Sequence, residues 1–142
     1  MKKLLPVLLI LCILCLSGCG MLKDLQSGMQ AAAAHAEEFC SALAKDDLTS
    51  AEGYLHPDAT PKGKDLPAFL AKLEQNHGID FSDGVAFKSR TDFSSTYYDS
   101  SYGGSVHECT YQAVVGETTV NLFFVVVEND SGYGIYSFGI SK

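Results

Sequence analysis

The spacing of apolar residues changes once along this 142-residue chain, at about Gly84. Before that point apolar side chains recur every three or four residues, as they do on one face of a helix. After it they alternate, as they do on one face of a β-strand. Because the helical pattern comes first and the strand pattern follows, the sequence predicts an α+β fold.

The first predicted helix is the longest and covers residues 28–45. Ser27 followed by Gln30 has the form of a capping box, in which each side chain satisfies a free backbone N–H. The helix would carry one apolar stripe with Cys40 on it, formed by Met29, Ala32, Ala36, Phe39, Cys40 and Leu43. We therefore expect Cys40 to face a core.

Two shorter helices are predicted before the strands. Thr49 with Glu52 repeats the capping signature and predicts the start of a short second helix. A third helix is expected to begin after Asp65, with Pro67 in its first turn and Gly78 as a left-handed stop.

Four strands are predicted over residues 85–95, 105–115, 117–129 and 133–141. The short connections between them predict an antiparallel meander. In the second strand His107, Cys109 and Tyr111 fall on one face because successive side chains alternate. A helix packed on that face would bring Cys40 within reach of Cys109.

The N-terminus combines Lys2 and Lys3 with thirteen apolar residues over 4–16. A helix that spans a bilayer needs roughly 18 or more apolar residues, so this run is too short. A basic start, a short apolar run and small residues after it are the layout of a secretory signal peptide. We therefore predict that residues 1–18 are a signal peptide that is removed.

The segment Leu16-Ser17-Gly18-Cys19 resembles the lipobox of bacterial lipoproteins. The resemblance implies that Cys19 is lipidated and becomes the new N-terminus, with residues 19–27 as a short tether. Several acyl chains on one residue anchor a protein stably. The expected location is the bacterial cell envelope, on the outer face of the cytoplasmic membrane or in the outer membrane if the host has one.

The charge of the predicted mature chain is strongly acidic. The signal peptide holds two of the ten basic side chains and none of the seventeen acidic ones, which leaves a net charge of −9. Because nucleic-acid binding relies on Lys and Arg neutralising phosphates, no nucleic-acid partner is expected. The lipid on Cys19 is expected to attach the protein to the membrane.

Two cysteines remain in the predicted mature domain beside the lipidated one. Cys40 and Cys109 would lie in a compartment that permits disulfides. They are either a structural disulfide or two buried free thiols, and no activating pattern such as Cys-x-x-Cys surrounds them.

The residues also carry a resemblance to a domain family. The segments FCSAL at 39–43, AEGYLHP at 51–57 and GIYSFGI at 134–140 resemble the nuclear transport factor 2-like (cystatin-like) domains of bacterial lipoproteins. The similarity spans residues 29–141, within a domain of residues 28–142. It implies a cone, with the N-terminal helices packed on a curved four-stranded antiparallel sheet. Family members often carry a tryptophan in the last strand, and this chain has none.

A fold of that family does not decide the activity. We expect a non-catalytic module that binds a protein, a peptide or a small ligand. The alternative is an isomerase-like or dehydratase-like enzyme that uses the cavity of the cone, for which His107, Tyr111 and Asp92 are the acid or base candidates.

The segment 94–104 is rich in tyrosine, serine and glycine, which is typical of binding loops. Tyr97, Tyr98 and Tyr102 are therefore candidate contacts for a ligand or partner, together with His107 and Tyr111. The other interpretation of this segment is a solvated hairpin tip whose rings cover the edge of the sheet.

No metal or other cofactor is predicted. The four histidines stand singly along the sequence, without the paired ligands that make a metal motif specific, at His35, His56, His77 and His107.

Overall fold

The helices precede the sheet, as the change in apolar spacing predicts. A computed structural model describes residues 4–141, and it describes side chains from residue 23 to residue 141. The three α-helices are α1 (Leu4–Ala44), α2 (Leu48–Glu52) and α3 (Leu66–His77). Two short 3₁₀ turns, Gly63–Asp65 and Phe81–Asp83, lie beside α3.

Helix α1 begins much earlier than the predicted capping box. Ser27 lies inside the helix, and its hydroxyl donates to the Asp24 carbonyl oxygen at 3.1 Å. A serine that bonds back to the preceding turn has the same local sequence as a serine that caps a helix. The prediction that a helix starts at Ser27 was therefore wrong.

The apolar stripe of α1 was predicted correctly. Its buried residues are Ala32, Ala36, Phe39, Cys40, Ala42 and Leu43. Met29, at the start of the stripe, is half-buried. Cys40 therefore faces the core, as the helical spacing indicates.

The cap of α2 is Asp47 rather than Thr49. The Asp47 carboxylate accepts from the Ser50 backbone N–H at 3.0 Å and from the Ser50 hydroxyl at 2.6 Å. Aspartate and threonine both cap helices, and the pattern alone placed the start two residues too late. Helix α3 ends as predicted, at Gly78 with a φ of 65°.

The sheet is a four-stranded antiparallel meander in the order β1-β2-β3-β4. The strands are β1 (Val85–Asp99), β2 (Gly104–Val115), β3 (Thr118–Asn129) and β4 (Gly132–Ser141). Three irregularities interrupt the register of β1 with β2. Such bulges bend an edge strand and discourage pairing with another chain.

One face of the sheet packs against the helices and forms the main core. On β2 and β3 this helix-facing side carries alternate residues, including Cys109 opposite Phe124. The outer face carries a smaller cluster in which Val106, Val125 and Val127 are buried beneath Tyr102 and Tyr136. The chain therefore has the α+β architecture that the sequence predicts.

Cys40 and Cys109 are both buried and both are free thiols in the structure. The disulfide that the sequence left open is thus not formed here. Burial raises the pKa of the Cys109 thiol to about 11, and it also raises the pKa of Cys40. Neither thiol has the lowered pKa of a reactive cysteine.

The predicted anchor lies mostly beyond the region with described side chains. Residues 1–3 of the predicted signal peptide, with Lys2 and Lys3, lie outside the described residues. The side chain of Cys19 lies outside them too. In the part with described side chains, 23–141, no helix has the length and apolar character needed to cross a membrane.

Candidate functional site

A cavity of about 260 Å³ lies between α1 and one end of the sheet. We call it the His107 cavity. Its lining comes from α1 and from the neighbouring ends of β1, β2 and β3. The lining residues are Asp24, Leu25, Ser27, Gly28, Ser95, Thr96, Tyr97, Ser105, His107 and Glu128.

His107 is the most buried polar group in this lining, with 6% of its surface exposed. Ser95 pairs with it across the β1–β2 ladder, and Ser95 Oγ lies 2.6 Å from His107 Nδ1. The Phe93 ring stacks against the imidazole, with 6.3 Å between centroids. Among the residues that the structure describes, Nε2 of His107 has no hydrogen-bond partner.

Gly28 allows α1 to lie directly against His107. A Cβ atom built on Gly28 would stand 2.8 Å from Cε1 and 3.0 Å from Nε2 of the imidazole. Contacts that short require a neighbouring group to move. Glycine is the residue that permits this close approach of the backbone.

The cavity is acidic. Asp24 on α1 and Glu128 on β3 both line it, and no described lining residue is a lysine or an arginine. Burial lowers the pKa of His107, and the Glu128 carboxylate opposes that shift. We therefore expect a neutral imidazole at pH 7, with one ring nitrogen able to accept a proton or a hydrogen bond.

The structure brings together two of the five predicted contact residues. His107 and Tyr97 line the same cavity, and Tyr97 stands at its rim with 79% of its surface exposed. Tyr98 is 63% exposed and does not line it. Tyr102 lies on the outer face, where its ring contacts Tyr136 edge-on at 5.1 Å.

Tyr111 lies in the main core and does not line the His107 cavity. It is buried, and its ring meets Phe87 edge-on at 5.0 Å. Burial raises its pKa to about 12. Asp92, the other acid candidate, is exposed and accepts from the neighbouring Phe93 N–H, so it does not converge on His107.

His56 is a structural histidine. It is 1% exposed, and its Nδ1 accepts from the Asp58 N–H at 3.0 Å. Nε2 therefore carries the proton and donates toward Asn129 Oδ1 at 3.0 Å and the Gly132 carbonyl at 3.2 Å. These bonds join the segment after α2 to the β3–β4 hairpin.

Tyr133 and His35 form a contact that the sequence did not suggest. The two rings meet edge-on at 4.7 Å, and Tyr54 meets the other side of His35 at 5.4 Å. Burial raises the pKa of Tyr133 to about 12. Its hydroxyl is buried without a hydrogen-bond partner among the described residues.

A larger cavity, of about 380 Å³, lies between the end of α1, α3 and the turn Phe81–Asp83. Asp46, Glu74 and Asp80 line it. Burial and the neighbouring Asp80 carboxylate raise the pKa of Glu74. Within residues 23–141, no three His, Cys, Asp or Glu side chains are placed to hold a metal ion.

Sequence reasoning named His107 and Tyr97, which line the cavity, but it did not name Ser95 or Gly28. Ser95 contributes because the strand register places it opposite His107. Gly28 contributes because it lets α1 pack closely against the His107 ring. Neither a scan against protein-family models nor a search of curated proteins found a match to this chain.

Proposed function

We propose that this protein is a lipid-anchored envelope lipoprotein with a nuclear transport factor 2-like domain, and that it binds a small ligand in the His107 cavity without transforming it. The lipobox-like segment ending at Cys19 supports the anchor. The order of three helices and a four-stranded antiparallel meander supports the family.

The observation that carries the binding role is Nε2 of His107, which has no hydrogen-bond partner among the described residues. Nε2 is not one of the fully buried side-chain atoms left without a partner, so it does not carry the desolvation penalty of such an atom. His107 lines the cavity, and Ser95 Oγ holds its ring through Nδ1. A ligand that hydrogen-bonds to Nε2 would meet a ring that Ser95 already orients, which is typical of a binding site lined by a few oriented polar groups.

The position of the cavity along α1 agrees with a role at the membrane. Asp24 and Gly28 follow Cys19 by five and nine residues of the same helix. At about 1.5 Å per residue, these residues lie roughly 8 and 14 Å from Cys19. An anchored Cys19 would hold the cavity beside the bilayer surface.

The alternative is a small-molecule enzyme in which His107 acts as a general base. The neutral imidazole in a cavity favours this alternative. A non-catalytic site and an enzyme differ in the effect of His107→Asn, which keeps the size of the side chain. An enzyme would keep substrate binding and lose turnover, whereas our proposal predicts that binding itself weakens.

The anchor is tested with the full chain produced in a bacterium that is fed labelled palmitate. We expect Cys19→Ser to lose the label and to leave the membrane fraction. Cys15→Ser, inside the predicted signal peptide, is the matched control and should keep both. Equal labelling of the two variants would contradict lipidation at Cys19.

The cavity is tested by NMR of the His107 ring in the detergent-solubilised full chain. The probes are small amines, small neutral polyols and inorganic phosphate. We expect at least one class to shift the His107 Cε1–H signal saturably, and Gly28→Ala to abolish the shift by crowding the ring. Gly139→Ala is the control, because an added Cβ there meets no heavy atom within 4 Å.

Absence of a saturable shift with every probe class would count against a small-ligand site. A shift that survives unchanged in Gly28→Ala would place the binding elsewhere.

A further inference from the structure

We infer that the His107 cavity is selective for an ammonium group, carried by a free small amine or by the headgroup of an aminophospholipid. This inference rests on the proposed binding function and names the chemistry of its ligand. Three features of the lining lead to it: its charge, its hydrogen-bond acceptors and its size.

The charge of the lining favours a cation. Asp24 and Glu128 reach the cavity from two different elements, one from α1 and one from β3. The described lining residues include no basic side chain to neutralise them. An anion such as phosphate would meet two like charges, whereas an ammonium would meet two opposite ones.

The acceptors also suit an ammonium, which has three N–H donors and no acceptor. In the tautomer in which Nδ1–H of His107 donates to Ser95 Oγ, Nε2 is an acceptor, and it lies beside Gly28 of the lining. Ser105 and Thr96 add hydroxyl oxygens to the lining. His107 is more than nine-tenths buried, so this acceptor is held in a fixed direction.

The aromatic ring at the rim adds a further contact. Tyr97 is the most exposed large hydrophobic side chain in the described residues, and it lines the cavity. The face of a tyrosine ring attracts a cation within about 6 Å. A ring at the entrance can therefore contact the methylene groups or the charge of an entering amine.

The size of the cavity limits the ligand. Pockets for drug-sized molecules have volumes of about 300–1,000 Å³. At about 260 Å³ the His107 cavity is smaller than this range. It suits a headgroup or an amine of a few heavy atoms, such as ethanolamine, and not a peptide.

The test uses the solubilised full chain with ¹⁵N-labelled histidine. The soluble probes are ethanolamine, the neutral polyol glycerol and inorganic phosphate. The membrane probes are vesicles of phosphatidylethanolamine and of phosphatidylglycerol, with the chain inserted through its anchor. The readout is the ¹⁵N shift of His107 Nε2, which also reports the tautomer.

We expect ethanolamine to shift Nε2 saturably and to bind at least tenfold more tightly than glycerol or phosphate. The double variant Asp24→Asn/Glu128→Gln should weaken that binding at least tenfold. The control Glu38→Gln/Glu117→Gln removes two exposed carboxylates outside the lining and should leave the binding unchanged.

The two sources of the ammonium give different results. A shift with phosphatidylethanolamine vesicles beyond that with phosphatidylglycerol would assign the headgroup, and a shift with ethanolamine alone would assign a free amine. Either result supports the inference. Tighter binding of glycerol or phosphate would overturn it while leaving a small-ligand site in place, and no shift with any probe would overturn both proposals.

Discussion

The two ends of the layer between α1 and the sheet differ in what fills them. At one end Phe39, Phe124 and Phe138 pack together, with ring centroids 5.1–5.9 Å apart. At the other end the helix presents Gly28, and the space beside it is the His107 cavity. The same sheet face thus supports a filled core at one end and an open site at the other.

The difference follows from the side chains on α1. Among the α1 residues near the sheet, Gly28, Ala32 and Ala36 are small, whereas Phe39 and Leu43 further along the helix are large. Small residues let a helix approach its neighbour closely, and large ones fill the space between layers. The site lies beside Gly28, the residue without a side chain.

The largest expected effect is at the filled end. Phe124→Ala removes a fully buried ring and should lower the free energy of unfolding by about 3–5 kcal/mol. Phe123→Ala is the matched control, since this neighbouring ring faces outward with 39% of its surface exposed. Phe123→Ala should lower the free energy of unfolding by about 1 kcal/mol or less. Urea denaturation measures both, and equal losses would contradict the assignment of the two faces.

The next effect compares the two buried histidines. His56→Ala removes a ring whose two nitrogens are both bonded and should cost about 2–3 kcal/mol. His107→Ala removes one hydrogen bond beside an existing cavity, so about 1 kcal/mol is expected. The same urea titration checks the order. A larger loss for His107 would make it a structural residue and count against the site.

A smaller effect is expected on the pH dependence of stability. The pKa of His107 is lowered in the folded state, so the unfolded chain binds more protons just below pH 6.5. The free energy of unfolding should therefore fall as pH drops from 7.5 to 5.5. Part of this loss should disappear in His107→Asn.

His35 provides the comparison for that measurement. Burial lowers its pKa as well, so His35→Asn should also flatten the pH dependence. Urea denaturation at the two pH values in the single and double variants separates the two histidines. If the pH dependence of the free energy of unfolding were unchanged in His107→Asn, folding would not lower the pKa of His107.

The smallest expected effect concerns the thiols. Cys109, with a pKa raised to about 11, and the buried Cys40 should not react with iodoacetamide at pH 8 in the folded protein. Both should react after unfolding in denaturant without reductant. Mass spectrometry counts the adducts. No adduct on either cysteine after unfolding would contradict the free thiols and indicate the disulfide.

Much of the fold was predictable because it depends on local spacing. The four strands and the buried stripe with Cys40 follow from the periodicity of apolar residues. The end of α3 at Gly78 could be predicted because glycine adopts the left-handed conformation that stops a helix. The start of α1 was not predictable from the Ser27 and Gln30 pattern, because a hydroxyl inside a helix bonds to its own preceding turn.

The site was less predictable because it depends on contacts between distant segments. His107 could be proposed from its place on β2, but its partner Ser95 depends on the β1–β2 register, which bulges shift. Tyr111 shares the face of His107, yet the packing of Phe87 buries it in the core. Nothing in the sequence marks Gly28 as important, because its role depends on the packing of α1 against the His107 ring.

The continuity of α1 has a consequence for any attachment at Cys19. Because Cys19 and Asp24 belong to one helix, each residue inserted between them would rotate the cavity by about 100° around the helix axis. Under the proposed lipidation, one inserted alanine would turn the opening away from its original direction. Four inserted alanines would return the opening almost to its original direction and would move it about 6 Å further from Cys19 along the helix. If ligand capture depended on the number of inserted residues in this way, the turns of α1 between Cys19 and Asp24 would fix the direction in which the opening faces.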